Sequence, residues 1–361
     1  MKQIFFSLAI LLTINTMAQT DTVKKDHPLS FSGYAEVYYL YDINKPQNHH
    51  RPPFFYSYNR TGEMNLNLAF LKAAYSQDNI RANFGLMAGT YPNANLASEP
   101  GVFKKIYEAN MGIKLSKKNA LWVDAGILPS HIGFESAIGK DCWTLTRSIL
   151  AENSPYYEAG VRTSYTSTNS KWYIAVLLLN GWQRIQRIEG NNTPAFGTQL
   201  TFAPSHKLVF NSSTFIGNDK PDSIRQMRYF HSFYTLWQLT KKWGLTIGFD
   251  NGIEQIAKGS SKMNTWYSPV MIIRYQPTNN WFISARAEYY HDRNGVIAPL
   301  VNARPFDMKG FSLNTDYNFS KNLLWRMEVR LLNNGSPYFL KGNQLSKSNL
   351  CIATALAIKI N

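Results

Sequence analysis

Residues 309–333 read KGFSLNTDYNFSKNLLWRMEVRLLN, and this stretch decides the fold because it predicts a complete β-hairpin. When the turn is placed at Ser320-Lys321-Asn322, alternate side chains of the two halves face each other across the strand pair. One face pairs Phe311 with Leu331, Leu313 with Val329, Thr315 with Met327 and Tyr317 with Trp325. The other face pairs Ser312 with Arg330, Asn314 with Glu328 and Asp316 with Arg326, and the last pair carries opposite charges. One face therefore suits lipid and the other suits water.

A second hairpin, formed by 264–276 and 280–291, repeats this two-faced pattern. Pairing across its turn brings Tyr275 opposite Trp281, Ile273 opposite Ile283, and Tyr267 opposite Tyr289. Aromatic side chains then lie at both ends of an apolar band, where the two interfaces of a membrane favour them.

The same alternation recurs from residue 31 to the end of the chain, in segments of ten to fourteen residues. A tilted strand needs about 9–11 residues to cross a bilayer, and every segment reaches that length. The sixteen segments are 31–41, 62–75, 79–89, 104–115, 119–128, 155–167, 170–180, 194–203, 206–216, 227–240, 243–254, 264–276, 280–291, 309–319, 322–333 and 349–360.

The connections between these segments alternate between short and long. The long ones are 42–61, 90–103, 129–154, 181–193, 217–226, 255–263, 292–308 and 334–348. Outer-membrane barrels have this asymmetry, with short periplasmic turns and long external loops, and an even number of strands places both termini in the periplasm. The sequence therefore predicts an all-β protein, a transmembrane antiparallel up-and-down β-barrel of about sixteen strands.

The first eighteen residues predict a cleaved export signal. A basic start precedes an apolar run from Ile4 to Ile14, and the small residues of Thr16-Met17-Ala18 come directly before Gln19. The run is too short to cross a bilayer as a helix. We expect a signal peptide at 1–18, a periplasmic linker at 19–30 and an outer-membrane barrel at 31–361, in a Gram-negative envelope.

Tryptophan is concentrated just after the short turns. Five of the nine tryptophans fall there, and we expect them to form an aromatic girdle at the periplasmic interface: Trp122, Trp172, Trp243, Trp281 and Trp325.

Several stretches resemble the OmpL-like β-barrel outer-membrane porin family. They are FSGYAEVYY at 31–39, WVDAGILPSH at 122–131, TRS at 146–148 and ENSPYYEAGVR at 152–162. The resemblance covers most of the mature chain and implies an outer-membrane porin-like barrel. It does not supply a solute.

The longest connection, 129–154, is the candidate constriction. A sixteen-stranded barrel is wide enough to leave an aqueous channel, and in general porins the corresponding loop folds inward. The alternative is an ordinary external loop over the mouth. The charged residues of the connection 129–154 include Lys140, Asp141 and Arg147.

Strand parity places the wall charges opposite the apolar face, because Arg or Lys facing lipid at mid-depth would cost about 2–4 kcal/mol. The candidates for pore-lining or constriction residues are Lys140, Asp141, Arg147, Glu158, Arg162, Arg286, Glu288, Asp316, Arg326, Glu328 and Arg330, and parity also turns Glu36, Arg81, Glu108 and Asp124 inward. Such charges select ions in pores, or they form structural ion pairs across the wall, which is the role we expect for most of them.

The formal charge of +15 is consistent with an anion-attracting pore or with loops that contact lipopolysaccharide phosphates. An exported protein could pair the two cysteines, Cys142 and Cys351, but two cysteines make no disulfide framework, and they have no metal-binding spacing. His231 and Ser232 are adjacent, so a strand turns them to opposite faces, which opposes a nucleophile–base pair.

We therefore expect a non-enzymatic porin-like channel that lets small hydrophilic solutes diffuse passively, with an anion preference added from the net charge. No catalytic residue, metal or cofactor is expected, and an exported chain does not meet nucleic acid. We expect the chain to contact outer-membrane lipid and lipopolysaccharide. A homotrimer is also expected, because sixteen-stranded porins usually form trimers. The alternatives are a plugged barrel that acts as a surface binding or scaffold protein, and a barrel hydrolase.

Overall fold

The structure is a computed structural model that describes residues 27–360. The expected signal peptide and the first part of the linker lie outside the described residues. Sixteen strands form one closed antiparallel barrel in which each strand pairs with its neighbours along the chain, and the first strand closes the barrel against the last. The barrel strands are β1 Leu29–Asp42, β2 Met64–Gln77, β3 Ile80–Ala88, β4 Ile106–Lys114, β5 Ala120–Pro129, β6 Tyr157–Thr166, β7 Trp172–Leu179, β8 Ala195–Ser205, β9 Leu208–Gly217, β10 Arg228–Gln238, β11 Trp243–Gln255, β12 Met263–Tyr275, β13 Trp281–Asp292, β14 Phe306–Asn318, β15 Leu323–Asn334 and β18 Ser348–Ile360.

Each predicted segment overlaps one barrel strand, so the expected all-β, sixteen-stranded architecture is confirmed. The last long connection also holds a small hairpin, β16 Phe339–Lys341 and β17 Gln344–Ser346, which the sequence did not predict. Two short helices, α1 Thr90–Asn95 and α2 Ile149–Glu152, lie in the second and third long connections. None of the helices within 27–360 is long and apolar enough to span a membrane.

The register of the β14–β15 hairpin is as predicted, with Phe311 opposite Leu331 and Tyr317 opposite Trp325. The register predicted for β12 and β13 is wrong by two residues, because Tyr275 lies opposite Ile283 rather than Trp281. The five residues 276–280 connect these strands, and the longer turn moves the pairing along the strand. A shift of two leaves every side chain on its predicted face.

Outward-facing side chains are apolar and strongly exposed. Leu71 is 77% exposed and Met111 is 69% exposed, and both belong to a continuous band of Leu, Ile, Val and aromatic residues around the barrel. So large an apolar surface is unstable in water and is suited to the lipid interior.

The interior is packed at the end of the barrel that carries the long connections, which we call the long-loop end. Phe54 and Phe55 of the first long connection turn inward and join inward-facing wall residues in one hydrophobic cluster. Phe54 contacts Phe306 at 4.9 Å between ring centroids, and Phe306 contacts Tyr338 at 5.3 Å. The long connections therefore fold into the barrel mouth rather than standing free above it.

Candidate functional site: the inserted loop and the lumen

Residues 130–156, which we call the inserted loop, leave β5 and cross the lumen before they return to β6. The inward-folding alternative for this connection is thus the observed one. The loop begins at His131, whose Nδ1 lies 2.7 Å from Glu158 Oε1 and whose Nε2 lies 2.8 Å from the carbonyl oxygen of Thr214. A carbonyl and an ionised carboxylate both accept hydrogen bonds, so this arrangement favours the imidazole with protons on both ring nitrogens.

The pKa of His131 reflects two opposing effects. Burial lowers the pKa of the imidazole, but the Glu158 carboxylate outweighs burial, so the pKa lies above its ordinary value. The charged His131 therefore fastens the start of the inserted loop to both β6 and β9.

The middle of the inserted loop is fastened to the opposite wall by backbone amides. Thr146 N donates to Glu328 Oε2 at 2.5 Å, and Ile149 N donates to Glu288 Oε2 at 2.7 Å. Leu145 N donates to Asn314 Oδ1 at 2.9 Å. These side chains satisfy backbone groups that would otherwise be buried without partners.

Wall arginines complete the attachment by donating to loop carbonyls. Arg286 Nη1 lies 2.7 Å from the carbonyl oxygen of Thr146, and Arg330 Nη1 lies 3.0 Å from that of Arg147. Arg326 reaches the carbonyl oxygens of Gly139 and Cys142 at 2.6 and 2.9 Å. The guanidinium groups therefore bind the loop and the wall carboxylates at the same time.

The wall charges are paired with one another as well. Arg286 pairs with Glu328 at 2.8 Å and Arg330 with Glu288 at 2.6 Å. Arg326 pairs with Asp316 at 2.8 Å, which is the neutralising pair that the sequence predicted. All these side chains are buried beneath the inserted loop, so charge neutralisation is a structural requirement at this level.

The inserted loop is also tied to itself and to its neighbours. Arg147 donates to the carbonyl oxygens of Ser136 and Leu145 at 2.6 and 2.8 Å. Lys359 at the end of β18 pairs with Asp141 at 2.8 Å. Glu152 accepts a hydrogen bond from the amide of Tyr56 in the first long connection at 2.7 Å. The loop therefore contacts most of the barrel circumference.

Parity placed the wall charges correctly on the interior. Glu158, Arg162, Arg286, Glu288, Asp316, Arg326, Glu328 and Arg330 are buried inside the barrel together with Arg147, while Lys140 and Asp141 of the inserted loop are half-buried. The structure brings most of them together around the loop. Whether any of them lines a conducting path stays a prediction.

The girdle assignment is wrong for Trp122. This side chain is only 5% exposed. The Arg81 guanidinium lies over the indole ring, with its Cζ 4.2 Å from the ring centroid. Trp122 is two residues from the inward-facing Asp124, so alternation turns both to the lumen. Trp172, Trp243 and Trp281 lie exposed on the outer face, and Trp325 lies half-buried there.

Basic residues dominate the lumen wall toward the opposite end, which we call the short-turn end. Arg81 and Arg162 both pair with Asp124, at 2.6 and 3.2 Å, and Lys72 pairs with Glu108. Among the described residues, this region holds eight basic side chains, Lys72, Arg81, Lys114, Lys140, Arg162, Arg274, Arg326 and Lys359, against five acidic ones, Glu36, Glu108, Asp124, Asp141 and Asp316. Lys72, Lys114, Arg274 and Lys359 were missed by sequence reasoning, although strand parity could have found them.

The two cysteines are free and buried. Cys142 lies in the inserted loop, where its Sγ contacts the carbonyl oxygen of Ser136 at 3.4 Å. Burial raises the pKa of this thiol to about 11, so the reactive thiolate is scarce at neutral pH.

A closed sixteen-stranded barrel with an apolar outer band, a charged interior and a loop folded into its lumen defines the class of outer-membrane porins. The chain belongs to the family described as "Putative beta-barrel porin-2, OmpL-like", whose model matches residues 28–360. No curated protein sequence matches the chain. The family is one of porins and not of enzymes.

Solved porins share the fold at very low sequence identity. The chain is similar to the anion-selective porin from Comamonas acidovorans, with a TM-score of 0.60, 8% identity, and coverage of 92% of this chain and 99% of that one. It is similar to OmpT of Vibrio cholerae in trimer form, with a TM-score of 0.60, 9% identity, and coverage of 92% and 98%. The outer-membrane channel DcaP of Acinetobacter baumannii gives a TM-score of 0.58, 9% identity, and coverage of 91% and 97%.

Proposed function

We propose that this outer-membrane barrel is a channel for passive diffusion of small hydrophilic solutes, with the inserted loop as its constriction. The attachment of the inserted loop to Glu288 and Glu328 carries the proposal, because it holds a defined obstacle at mid-lumen. We place the long-loop end outside the cell and both termini in the periplasm. Residues 1–18 are assigned as the signal peptide, 19–30 as the linker and 31–361 as the barrel.

We further propose a preference for anions. The short-turn end of the lumen carries eight basic side chains against five acidic ones within the described residues, and the whole chain has a formal charge of +15. When charges of one sign line a narrow pore whose protein walls have a low dielectric constant, ions of the opposite sign are concentrated inside it.

The test is single-channel conductance of the refolded mature protein in a planar bilayer under a salt gradient. Stable conductance steps establish a pore, and the sign of the reversal potential reports its ion preference. Mainly cationic current at neutral pH would refute the anion preference and leave the pore intact.

A second candidate is a closed barrel that serves as a surface binding or scaffold protein. The observation in its favour is the complete burial of Arg326 and Arg330, which a wide aqueous lumen would leave wet. A folded, heat-modifiable barrel without conductance would support this candidate and refute the open channel.

We also propose contact with outer-membrane lipid and lipopolysaccharide, and assembly as a homotrimer. The exposed apolar band supports the lipid contact, and the trimer form of Vibrio cholerae OmpT supports the assembly by analogy. Light scattering of the detergent-solubilised protein would give three chains per particle, whereas a mass of one chain would exclude the trimer.

A further inference from the structure

A cavity of about 680 Å³ opens among the long connections at the mouth of the barrel. We call it the vestibule cavity. The first long connection, α1 and the hairpin β16–β17 surround it, and its walls include Arg51, Tyr56, Asn59, Arg60, Phe339 and Asn349. It adjoins the inserted loop, because the amide of its lining residue Tyr56 donates to Glu152.

Arg51 differs from Arg286, Arg326 and Arg330, the buried wall arginines that hold the inserted loop. It is only 4% exposed, and neither its Nε nor its Nη1 has a hydrogen-bond partner among residues 27–360. Its Nη2 makes a weak contact with Cys351 Sγ at 3.6 Å, and the guanidinium lies over Phe55 at 3.6 Å. Arg286, Arg326 and Arg330 all pair with carboxylates. A buried cation without a counter-ion is unfavourable unless an anion is supplied.

Two unused acceptors lie beside this cation. Asn59 Oδ1 and Asn349 Oδ1 are buried and receive no hydrogen bond from the part of the chain that the structure describes, and both residues line the vestibule cavity. The amide of Asn349 is fixed in orientation, because its Nδ2 donates to both carboxylate oxygens of Asp42 at 2.8 Å. The Arg51 amide donates to the Asn59 carbonyl oxygen at 2.9 Å, which places these residues together. The site therefore offers the charged donors of Arg51 and the neutral acceptors of Asn59 and Asn349, beside the Asp42 carboxylate, whose two oxygens already accept from Asn349 Nδ2.

We propose that the vestibule cavity binds an organic anion that also carries hydroxyl groups. Its carboxylate or phosphate would accept hydrogen bonds from Arg51, and a hydroxyl would donate to Asn59 or Asn349. The apolar walls provided by Phe55 and Phe339 accommodate the carbon skeleton. The proposal rests on the proposed function, since it names the solute class that the channel mouth would capture.

Calorimetric titration of the full refolded barrel in detergent tests this site without requiring conduction. Gluconate carries both groups, and sorbitol is the matched neutral polyol. We expect gluconate to bind, sorbitol not to bind, and Arg51→Gln to weaken gluconate binding at least about tenfold, the scale of one charge-assisted hydrogen bond. Arg293→Gln is the control, because Arg293 is 64% exposed and lies outside the cavity lining.

Equal gluconate affinity in the native protein and in Arg51→Gln would overturn the proposal, as would equal binding of sorbitol. If Arg51→Gln does not fold, the native barrel still tests the proposal. Its unfolding temperature should rise with the concentration of gluconate and should not change with sorbitol. Sulfate separates the two recognition elements, because it carries negative charge but no hydroxyl donor at neutral pH: Asn59→Ala should weaken gluconate binding and leave sulfate binding unchanged. A barrel that binds gluconate but conducts no current would refute the channel and leave this site standing.

Discussion

Replacing Glu328 with Gln should release the inserted loop from the barrel wall. Glu328 accepts hydrogen bonds from the Thr146 amide at 2.5 Å and from Arg286 Nη2 at 2.8 Å. The substitution keeps the size of the side chain and removes its charge. The backbone ladder of the barrel is untouched, so the variant should still fold.

The magnitude follows from these two contacts. A hydrogen bond to a charged group contributes about 1.5–3 kcal/mol, and a buried cation left without any partner would cost about 3–5 kcal/mol. Arg286 retains Glu288 at 3.2 Å, so the loss belongs to the lower range, about 2–3 kcal/mol. At about 1.4 kcal/mol per tenfold, the detached state of the loop becomes about 30–150 times more populated.

Cys142 reports this change, because it lies buried within the inserted loop. In a Cys351→Ser background, the rate of maleimide labelling of the folded barrel should rise by about the same 30–150-fold factor. Single-channel recordings should show more frequent high-conductance openings. The matched control is Glu108→Gln, an inner-wall carboxylate that pairs with Lys72. Unchanged labelling in Glu328→Gln, or an equal increase in Glu108→Gln, would refute the attachment mechanism.

Three further outcomes are expected. In vesicles with brominated lipids, Trp243→Phe should reduce the quenching of fluorescence, because Trp243 is exposed on the outer face, whereas Trp122→Phe should leave quenching unchanged; quenching of Trp122 would contradict its inward placement. Burial raises the pKa of Glu152 to about 7, so the folded state holds this proton more tightly than the unfolded state. Protonated Glu152 therefore stabilises the folded state fully below about pH 4.3, the ordinary pKa of glutamate. This stabilisation is lost as the pH rises through about 7. Glu152→Gln should flatten the unfolding temperature over this window, and an unaltered pH profile would exclude Glu152 as its source. Finally, Arg81→Gln should move the reversal potential toward cations and Asp124→Asn toward anions, each by removing one charge of the short-turn lumen; shifts of the same sign in both variants would contradict an electrostatic origin.

Alternation in the sequence was sufficient to predict the barrel, because a strand with one face in lipid and one in water has no other stable arrangement of its side chains. The β14–β15 register was predicted in full, since its short turn left a single way to match the faces. The β12–β13 register was missed by two residues, because alternation determines which face a side chain occupies but not its position along the strand.

The Trp122 error has a related cause. Its placement was inferred from its distance to a turn, although its alternation with Asp124 already indicated the lumen. A tryptophan inside the barrel is accommodated because the Arg81 guanidinium lies over its ring at 4.2 Å. That contact joins β3 and β5 and is not visible in either segment alone.

The candidate site was only partly predictable. Parity identified the wall charges, and the length of 129–154 suggested an inserted loop. The contacts that seat the loop join residues far apart in sequence, as with Thr146 and Glu328, which are 182 residues apart. The lack of hydrogen-bond partners for Arg51 Nε and Nη1 among the described residues likewise depends on the three-dimensional positions of other side chains. Local sequence patterns contain no such information.

The long sequence separation of the loop contacts also constrains the order of assembly. The inserted loop follows β5, but the side chains that hold it belong to β13, β14 and β15, and the barrel closes only when β1 meets β18. Pairings between distant segments form slowly, because a large chain entropy is lost before any contact compensates for it. We therefore expect the loop amides to stay bonded to water until the last quarter of the chain has formed its strands. Closure of the wall and filling of the lumen should then occur together, late in the assembly of this barrel.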